Sequence, residues 1–378
     1  VHTAAPGLSD SLLGRPLLLD MAAKQVFLVC LAAVALSNLV LAIHPINSLF
    51  APLSLISVAL VGLSVTLDNL SLAALCLLIA TVIMVMAWNL YARPRGHTQY
   101  LVAVTIGTLA LAFAASLMDE TPDTPSGVGL VSFELGAGLL LALVPFGFWE
   151  ANLGRDSDSL TTSLPGLAFK PAVLLLVWRF TVRYGWLTTA SLLPDMVRVA
   201  ALATVLYCAV RAAVTPSTRL YVSVASQAHF ALILLTILPA LGSSALLSIT
   251  SQCLLARIPS VLLLAAGAIA FRRCDGLPAR LLFVFGVVAL LGLPGTPLFP
   301  VHLTGLLTLR DRSDLLMPLA VLSAGLAVGA VRFLMTESTR GAETLEAHSA
   351  EILGAAITLA LLTLFLGLQP SHMLAYLS

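Results

Sequence analysis

The sequence predicts an all-α polytopic integral membrane protein with about 12 transmembrane helices, and three observations carry that prediction. Of its 378 residues 59% are hydrophobic and 10% charged, with a mean hydropathy of +1.03; such a chain has too few polar side chains to cover a water-facing surface of its size. Its apolar runs repeatedly approach the roughly 20 residues that a helix needs to cross the hydrocarbon core. Between the runs stand short polar or turn-forming stretches, RPRGH at 93–97, DETPDTPSG at 119–127, EANLGRDSDS at 150–159 and RRCDGLPAR at 272–280, which read as connecting loops.

An N-terminal extramembrane segment, 1–23, comes first. It shows no basic stretch followed at once by a short apolar run and a small-residue cleavage site, so no cleavable signal peptide is expected and the first span does the targeting. Residues 24–378 read as a single transmembrane domain, with spans near 24–43, 48–67, 70–92, 99–118, 129–149, 162–182, 193–213, 219–240, 244–271, 279–306, 315–336 and 350–368. Three prolines in LGLPGTPLFP interrupt the 279–306 segment, and a proline inside a helix removes a backbone donor and clashes with the preceding turn. Broken helices at membrane depth line cavities. Arginine and lysine concentrate in one set of loops (Arg93, Arg95, Arg155, Arg211, Arg219, Arg272, Arg273, Arg280, Arg340) over the other (Arg15, Lys24, Arg179, Arg183, Arg310, Arg312). Basic loops stay cytoplasmic, so the N-terminus is expected outside.

Composition also excludes functions. A net charge of +1 without a basic run gives no surface for nucleic acid. The five cysteines, at 30, 76, 208, 253 and 274, are scattered singly with no histidine at ligand spacing, so neither a disulfide framework nor a metal site is expected; four of them read as small apolar packing residues. No GxGxxG follows a strand and no CxxCH occurs, so no cofactor and no redox site of the chain's own are expected.

In a membrane the informative residues are ionisable ones within spans, since each is costly unless paired, hydrated or used. They are Glu134, Lys170, Arg198, His229, Arg257, His302 and Arg332. Arg198 and Arg332 stand where a long basic side chain reaches headgroups. His229 and Arg257 each lie roughly ten residues into an apolar run, about mid-membrane at 1.5 Å per residue. Histidine exchanges protons near neutral pH, whereas arginine stays charged and acts through its field. Lys170 is one of only two lysines in the chain.

Four segments carry a resemblance. LLALVPFGFWEANL, 140–153, resembles the lysine-then-Pro-Phe-His-x-Trp segment of the proton-translocating, antiporter-like membrane subunits shared by respiratory complex I, energy-converting hydrogenases and Mrp cation/proton antiporters, through Pro145, Phe146 and Trp149. SLPGLAFKPAVLLLVWRF resembles that family's next helix, in which an arginine follows a lysine nine positions on, here Lys170 and Arg179. STRLYVSVASQAHFALIL, 217–234, and GLPGTPLFPVHLTGLL, 292–307, resemble two later segments in the same order and at the same intervals. The resemblance implies inverted five-helix repeats, about 48–182 and 193–336, with broken helices at their centres. Counting back from the Lys170 helix, the resemblance implies a chain without the family's first two helices.

The departures are as specific as the matches. The family pairs a glutamate on an early helix with a lysine five residues before Pro-Phe, and separation of that pair couples to proton movement. Here 69–118 holds no carboxylate, Leu140 occupies the lysine position and Gly147 the histidine of Pro-Phe-His. His229 stands where the family has glycine, with Gln227 nearby, and His302 falls on a late lysine-or-glutamate position. The expected proton path is therefore Glu134, Lys170, His229 and His302, tuned electrostatically by Arg257, Arg179 and Arg219, with Glu134 as a displaced acidic partner. The expected function is that of an antiporter-like subunit of a complex I-like or hydrogenase-like assembly. Its partners would be other membrane subunits and, through them, peripheral redox subunits, in an energy-transducing membrane, a bacterial inner membrane foremost and a mitochondrial one next. Two alternatives stand beside it: a non-pumping spacer or anchor subunit, and a cation/proton antiporter or proton-coupled inorganic-carbon uptake subunit.

Overall fold

A backbone inside a bilayer has no water to bond, so each crossing segment must satisfy its own N–H and C=O groups, and the described crossing segments of this chain are helices. The computed structural model describes residues 11–12, 15–18, 20–43, 49–89, 95–120, 122, 124–189, 193–238, 245–274, 276–308, 316–337 and 349–368. Arg93, Arg310, Arg312 and Arg340, counted above for orientation, lie outside them. A small antiparallel pair, β1 (Ser11–Leu12) and β2 (Arg15–Pro16), precedes the helices. The first spans are α1 (Met21–Ile43), α2 (Phe50–Thr66), α3 (Leu70–Asn89) and α4 (Arg95–Glu120). Then come α5 (Gly127–Leu141), α6 (Phe148–Asp156), α7 (Ser159–Leu164), a π-helical turn (Pro165–Phe169) and α8 (Lys170–Arg183). After the short α9 (Trp186–Thr189) follow α10 (Leu193–Val214), α11 (Thr218–Ile237), α12 (Ala245–Arg273), α13 (Leu277–Leu291), α14 (Leu298–Thr308), α15 (Leu316–Glu337) and α16 (Ser349–Leu368).

Among the described residues nine helices are long and apolar enough to cross a membrane, and three shorter apolar helices, Phe50–Thr66, Gly127–Leu141 and Leu277–Leu291, stand beside them. The α7–α8 unit, α11 and α12 are buried on nearly all sides and form the interior. The outer helices present large apolar residues outward, such as Leu28, Leu39, Ile79, Ile106, Phe113, Val210 and Val331, as a lipid-facing surface requires. Small residues let backbones approach where van der Waals packing is the driving force. Gly325 and Gly329 of α15 lie against the Ala209 and Ala212 carbonyls of α10, where a Cβ at 325 would stand 2.5 Å from the Ala209 oxygen. Gly136 and Gly107 serve the α4–α5 crossing in the same way.

Two breaks organise the interior. The first corrects the expectation of a single span over 129–149: α5 stops at Leu141, Ala142 adopts a left-handed conformation (φ 58°), and α6 starts only at Phe148. Pro145 lies in this interval, preceded by a cis peptide bond. The second is the expected proline-rich break, where α13 ends at Leu291, Gly292 is left-handed (φ 68°) and α14 begins at Leu298. The helix before each break has 15 residues. Polar groups released at the first break are satisfied: the Val144 amide donates to Thr204 Oγ1 at 2.9 Å, Gln227 Nε2 to the Ala142 carbonyl at 2.7 Å, and Trp149 Nε1 to the Leu139 carbonyl at 2.8 Å.

Candidate functional site

Immediately after the first break, Trp149 anchors the new helix to the old one and Glu150 follows it into the interior. The stretch 150–159 was expected to be a loop, but 150–156 belongs to α6 and Glu150 is 3% exposed. Its backbone carbonyl accepts from Ser223 Oγ at 2.8 Å, and its carboxylate accepts from Lys170 Nζ at 2.5 Å. Lys170 is 1% exposed. Glu134, expected as a displaced acidic partner, is not the counter-charge of Lys170: that comes from Glu150, one turn past the Pro-Phe break.

The local sequence LPGLAFKP explains how a lysine is held here. Neither Pro165 nor Pro171 has a backbone N–H, and the helix widens into a π turn between them, with the Lys170 amide bonded to the Pro165 carbonyl. Pro171 cannot supply the next such bond, to Gly166. Arg257 of α12 takes that carbonyl instead, donating from Nη1 at 2.6 Å, while its Nη2 donates to the Ser226 carbonyl at 2.8 Å and to Ser226 Oγ at 2.7 Å. Cys30 of α1 donates its thiol to the Ala168 carbonyl at 3.0 Å. A π-bulge frees carbonyls that tertiary partners must satisfy, and α1 and α12 provide them.

Phe230 of α11 lies beside both cations. Lys170 Nζ stands 4.9 Å and the Arg257 guanidinium carbon 5.4 Å from its ring centroid, both within the distance at which a ring face attracts a cation. The neighbouring residue His229, 1% exposed, meets His302 of α14 with the two Nε2 atoms 3.1 Å apart and the ring centroids 5.3 Å apart. The charge of Arg257 acts on Glu150, Lys170 and His229 alike. The interior therefore holds a row of ionisable groups, Glu150, Lys170, Arg257, His229 and His302, with one more cation than anion when both Lys170 and Glu150 are charged.

The surroundings of Lys170 differ on its two sides. Toward the α6–α7 and α10–α11 connections, at 157–158 and 215–217, lie the buried hydroxyls of Ser157, Ser159, Thr161, Thr162, Ser163, Ser223 and Ser226. Toward the opposite surface lies a cavity of about 360 Å³ walled by apolar residues including Phe133, Leu141, Leu174, Val177, Val197 and Leu234. Glu134 lines that cavity, half-buried, and takes no part in the interior row. Arg179 is not part of it either: it donates to the Leu67 carbonyl at 3.0 Å and lies 3.4 Å from Asp20, tying α8 to the N-terminal turn. Arg219 is half-buried beside Asp158 at 3.6 Å, at the other end of the molecule's thickness. Arg332, placed at the headgroups by its sequence position, donates to the Val214 carbonyl at 2.7 Å. Lys170, His229, His302 and Arg257 are thus brought together, while Glu134, Arg179 and Arg219 stand apart from them. Among the described residues no group of three or more histidine, cysteine or acidic side chains is placed to hold a metal ion.

Glu150 was the functional candidate that sequence reasoning missed. Its signal was present, because a carboxylate directly after the Trp of a broken helix lies within a turn of membrane depth. Reading the following GRDSDS as loop moved the boundary too early. Gly147 has a steric reason of its own: a Cβ there would overlap the Ala142 carbonyl and Gln227 Nε2.

No family model matches the sequence, and no curated protein matches it by sequence. Solved structures match its fold over nearly the whole chain. A chain of respiratory complex I from Thermus thermophilus with bound aureothin matches with a TM-score of 0.70 and 19% identity, covering 95% of this chain and 87% of that one. A chain of the Mrp complex from Dietzia sp. DQ12-45-1b matches with a TM-score of 0.72 and 15% identity, covering 98% and 84%. A chain of the membrane-bound sulfane sulfur reductase, an archaeal respiratory membrane complex, matches with a TM-score of 0.72 and 14% identity, covering 95% and 67%. The fold expected from the four sequence segments, that of the antiporter-like membrane subunits, is the fold found.

Proposed function

We propose that this chain is an antiporter-like membrane subunit of a multisubunit, proton-coupled redox complex and that it takes part in proton translocation through Glu150, Lys170, His229 and His302. The observation that carries the proposal is the buried Glu150–Lys170 pair at 2.5 Å, set in a row of ionisable groups between the two broken helices. A buried ion pair is a weak source of stability, and intramembrane charges of this kind mark ion and proton paths. The family's own pair is absent here, and a carboxylate–lysine pair has been rebuilt one helix further along. In this role Lys170 receives a proton by way of the hydroxyl-lined side, Glu150 holds the ammonium form, and the field of Arg257 opposes its persistence and favours onward release toward the histidines.

The fold shared with chains of complex I, the Mrp complex and a respiratory sulfane sulfur reductase supports partners in the membrane and residence in an energy-transducing membrane. A bacterial inner membrane is the proposed location, and peripheral redox subunits supply the driving reaction. The row disfavours an independent sodium/proton antiporter, because a hard cation needs several oxygen ligands and the only carboxylate in the described row, Glu150, is already held by Lys170. The test is purification with native partners, identification of those partners and reconstitution into vesicles. Lys170→Ala is expected to lower proton translocation more than assembly. Recovery of the chain with no redox partner overturns the complex assignment, and unchanged coupling in an intact Lys170→Ala complex leaves it a spacer subunit.

A further inference from the structure

We propose that His229 and His302 form a two-ring proton wire of fixed polarity, which takes up a proton at His229 Nδ1 and passes one to His302 Nε2. This deepens the proton-carrying reading above and rests on it. The polarity follows from the second broken helix. Because α13 ends at Leu291, its last carbonyls have no partner within the helix, and the His302 ring bonds to the backbone of Leu291. With Nε2 turned toward His229, the nitrogen standing over the break is Nδ1, which lies so close to Gly292 that a Cβ there would overlap it. Gly292 is also left-handed (φ 68°), a conformation that glycine adopts without cost.

A carbonyl only accepts, so His302 Nδ1 carries the hydrogen. A neutral imidazole has one N–H and one lone pair, and His302 Nε2 is therefore the acceptor of the 3.1 Å contact. His229 Nε2 must be the donor, and its Nδ1 is left as a bare lone pair. That atom is buried and without a hydrogen-bond partner among the described residues, the state expected of a group whose partner is a transient proton rather than a fixed donor.

Transfer then balances atom by atom. A proton bonds to His229 Nδ1; the N–H bond at His229 Nε2 breaks with its electrons kept by that ring; a new N–H bond forms at His302 Nε2. The His302 imidazolium releases its Nδ1 proton to water reaching the Leu291–Gly292 break, which leaves as hydronium. One proton enters, one leaves and nothing is oxidised. Both rings finish as the opposite tautomers and reset by rotation of the rings, since transfer back along the pair would return the proton and cancel the step. Arg257, whose charge acts on His229, opposes a second proton on the pair.

The test begins with the full chain in lipid, labelled with ¹⁵N-histidine, the seven histidines being assigned by His229→Gln and His302→Gln. Hydrogen on His302 Nδ1 and on His229 Nε2, with scalar coupling between the facing nitrogens, is the expected result. Hydrogen on His302 Nε2, or no coupling, overturns the proposal. The second arm uses the intact complex. His229→Gln keeps a donor toward His302 but has no second basic nitrogen, and is expected to lower translocation at least tenfold while the His302 tautomer is retained. If Lys170→Ala stops translocation and His229→Gln does not, the wire alone is wrong. If neither changes it, the subunit carries no protons and both readings fall.

Discussion

Replacing Glu150 with glutamine keeps the shape of the side chain and removes its charge, leaving the Lys170 ammonium unpaired at 1% exposure beside Arg257. Breaking one member of a buried ion pair costs roughly 3–5 kcal/mol. An independent ceiling agrees, since Lys170 can escape by losing its proton. Deprotonating an ordinary lysine of pKa about 10.4 at pH 7 costs about 4.6 kcal/mol at 1.36 kcal/mol per unit, so the loss cannot much exceed that value. The measurement is equilibrium unfolding in mixed micelles of the wild type, Glu150→Gln, Lys170→Met and the double variant. Each single change is expected to destabilise by about 3–4 kcal/mol, whereas the double change, which removes both charges, recovers at least about 2 kcal/mol of the summed losses. Losses that add to within about 0.5 kcal/mol, as distant sites do, would refute the pairing.

Other expectations are of the same kind. In the intact complex Glu150→Gln lowers proton translocation, while Glu134→Gln, in the apolar cavity wall, leaves it at the wild-type level; vesicle acidification measured for both separates the two carboxylates. Arg257→Met removes three hydrogen bonds from a fully buried guanidinium, each worth about 1.5–3 kcal/mol for a charged donor, so amide exchange at Phe169 and Lys170 is expected to quicken at least tenfold. Cys30→Ala, which removes one weak thiol bond to Ala168, should cost under about 1 kcal/mol in the same exchange experiment. Gly147→Ala forces a methyl against the Ala142 carbonyl and is expected to destabilise by about 1–3 kcal/mol, read as a lower midpoint in thermal unfolding.

The membrane class was legible without coordinates because bilayer crossing imposes a length and a polarity on each segment, and these are properties of consecutive residues. The proline-rich break at 292–297 was legible for the same reason. The break at 142–147 was harder, since Pro145 alone announces it and the flanking LLLALV and FGFW read as one apolar run. The individual interior cations and histidines were found because any ionisable residue within an apolar stretch stands out. Their roles were less legible: Arg179, Arg219 and Glu134 satisfy the same criterion as Lys170 and His229, yet they bond to the N-terminal turn, sit beside Asp158 at a surface, and line an apolar cavity, respectively.

The sequence by itself therefore determined the solvent, the helical class, the second break and the set of groups able to exchange protons, all of which follow from composition and local spacing. Only the tertiary structure decided which of those groups meet. The Glu150–Lys170 pair joins residues 20 apart on different helices, Arg257 reaches a carbonyl 91 residues away, and His229 faces His302 across 73 residues. A charge in a low-dielectric interior is tolerated only where a partner lies within a few ångströms, and that partner is chosen by helix packing rather than by position in the chain.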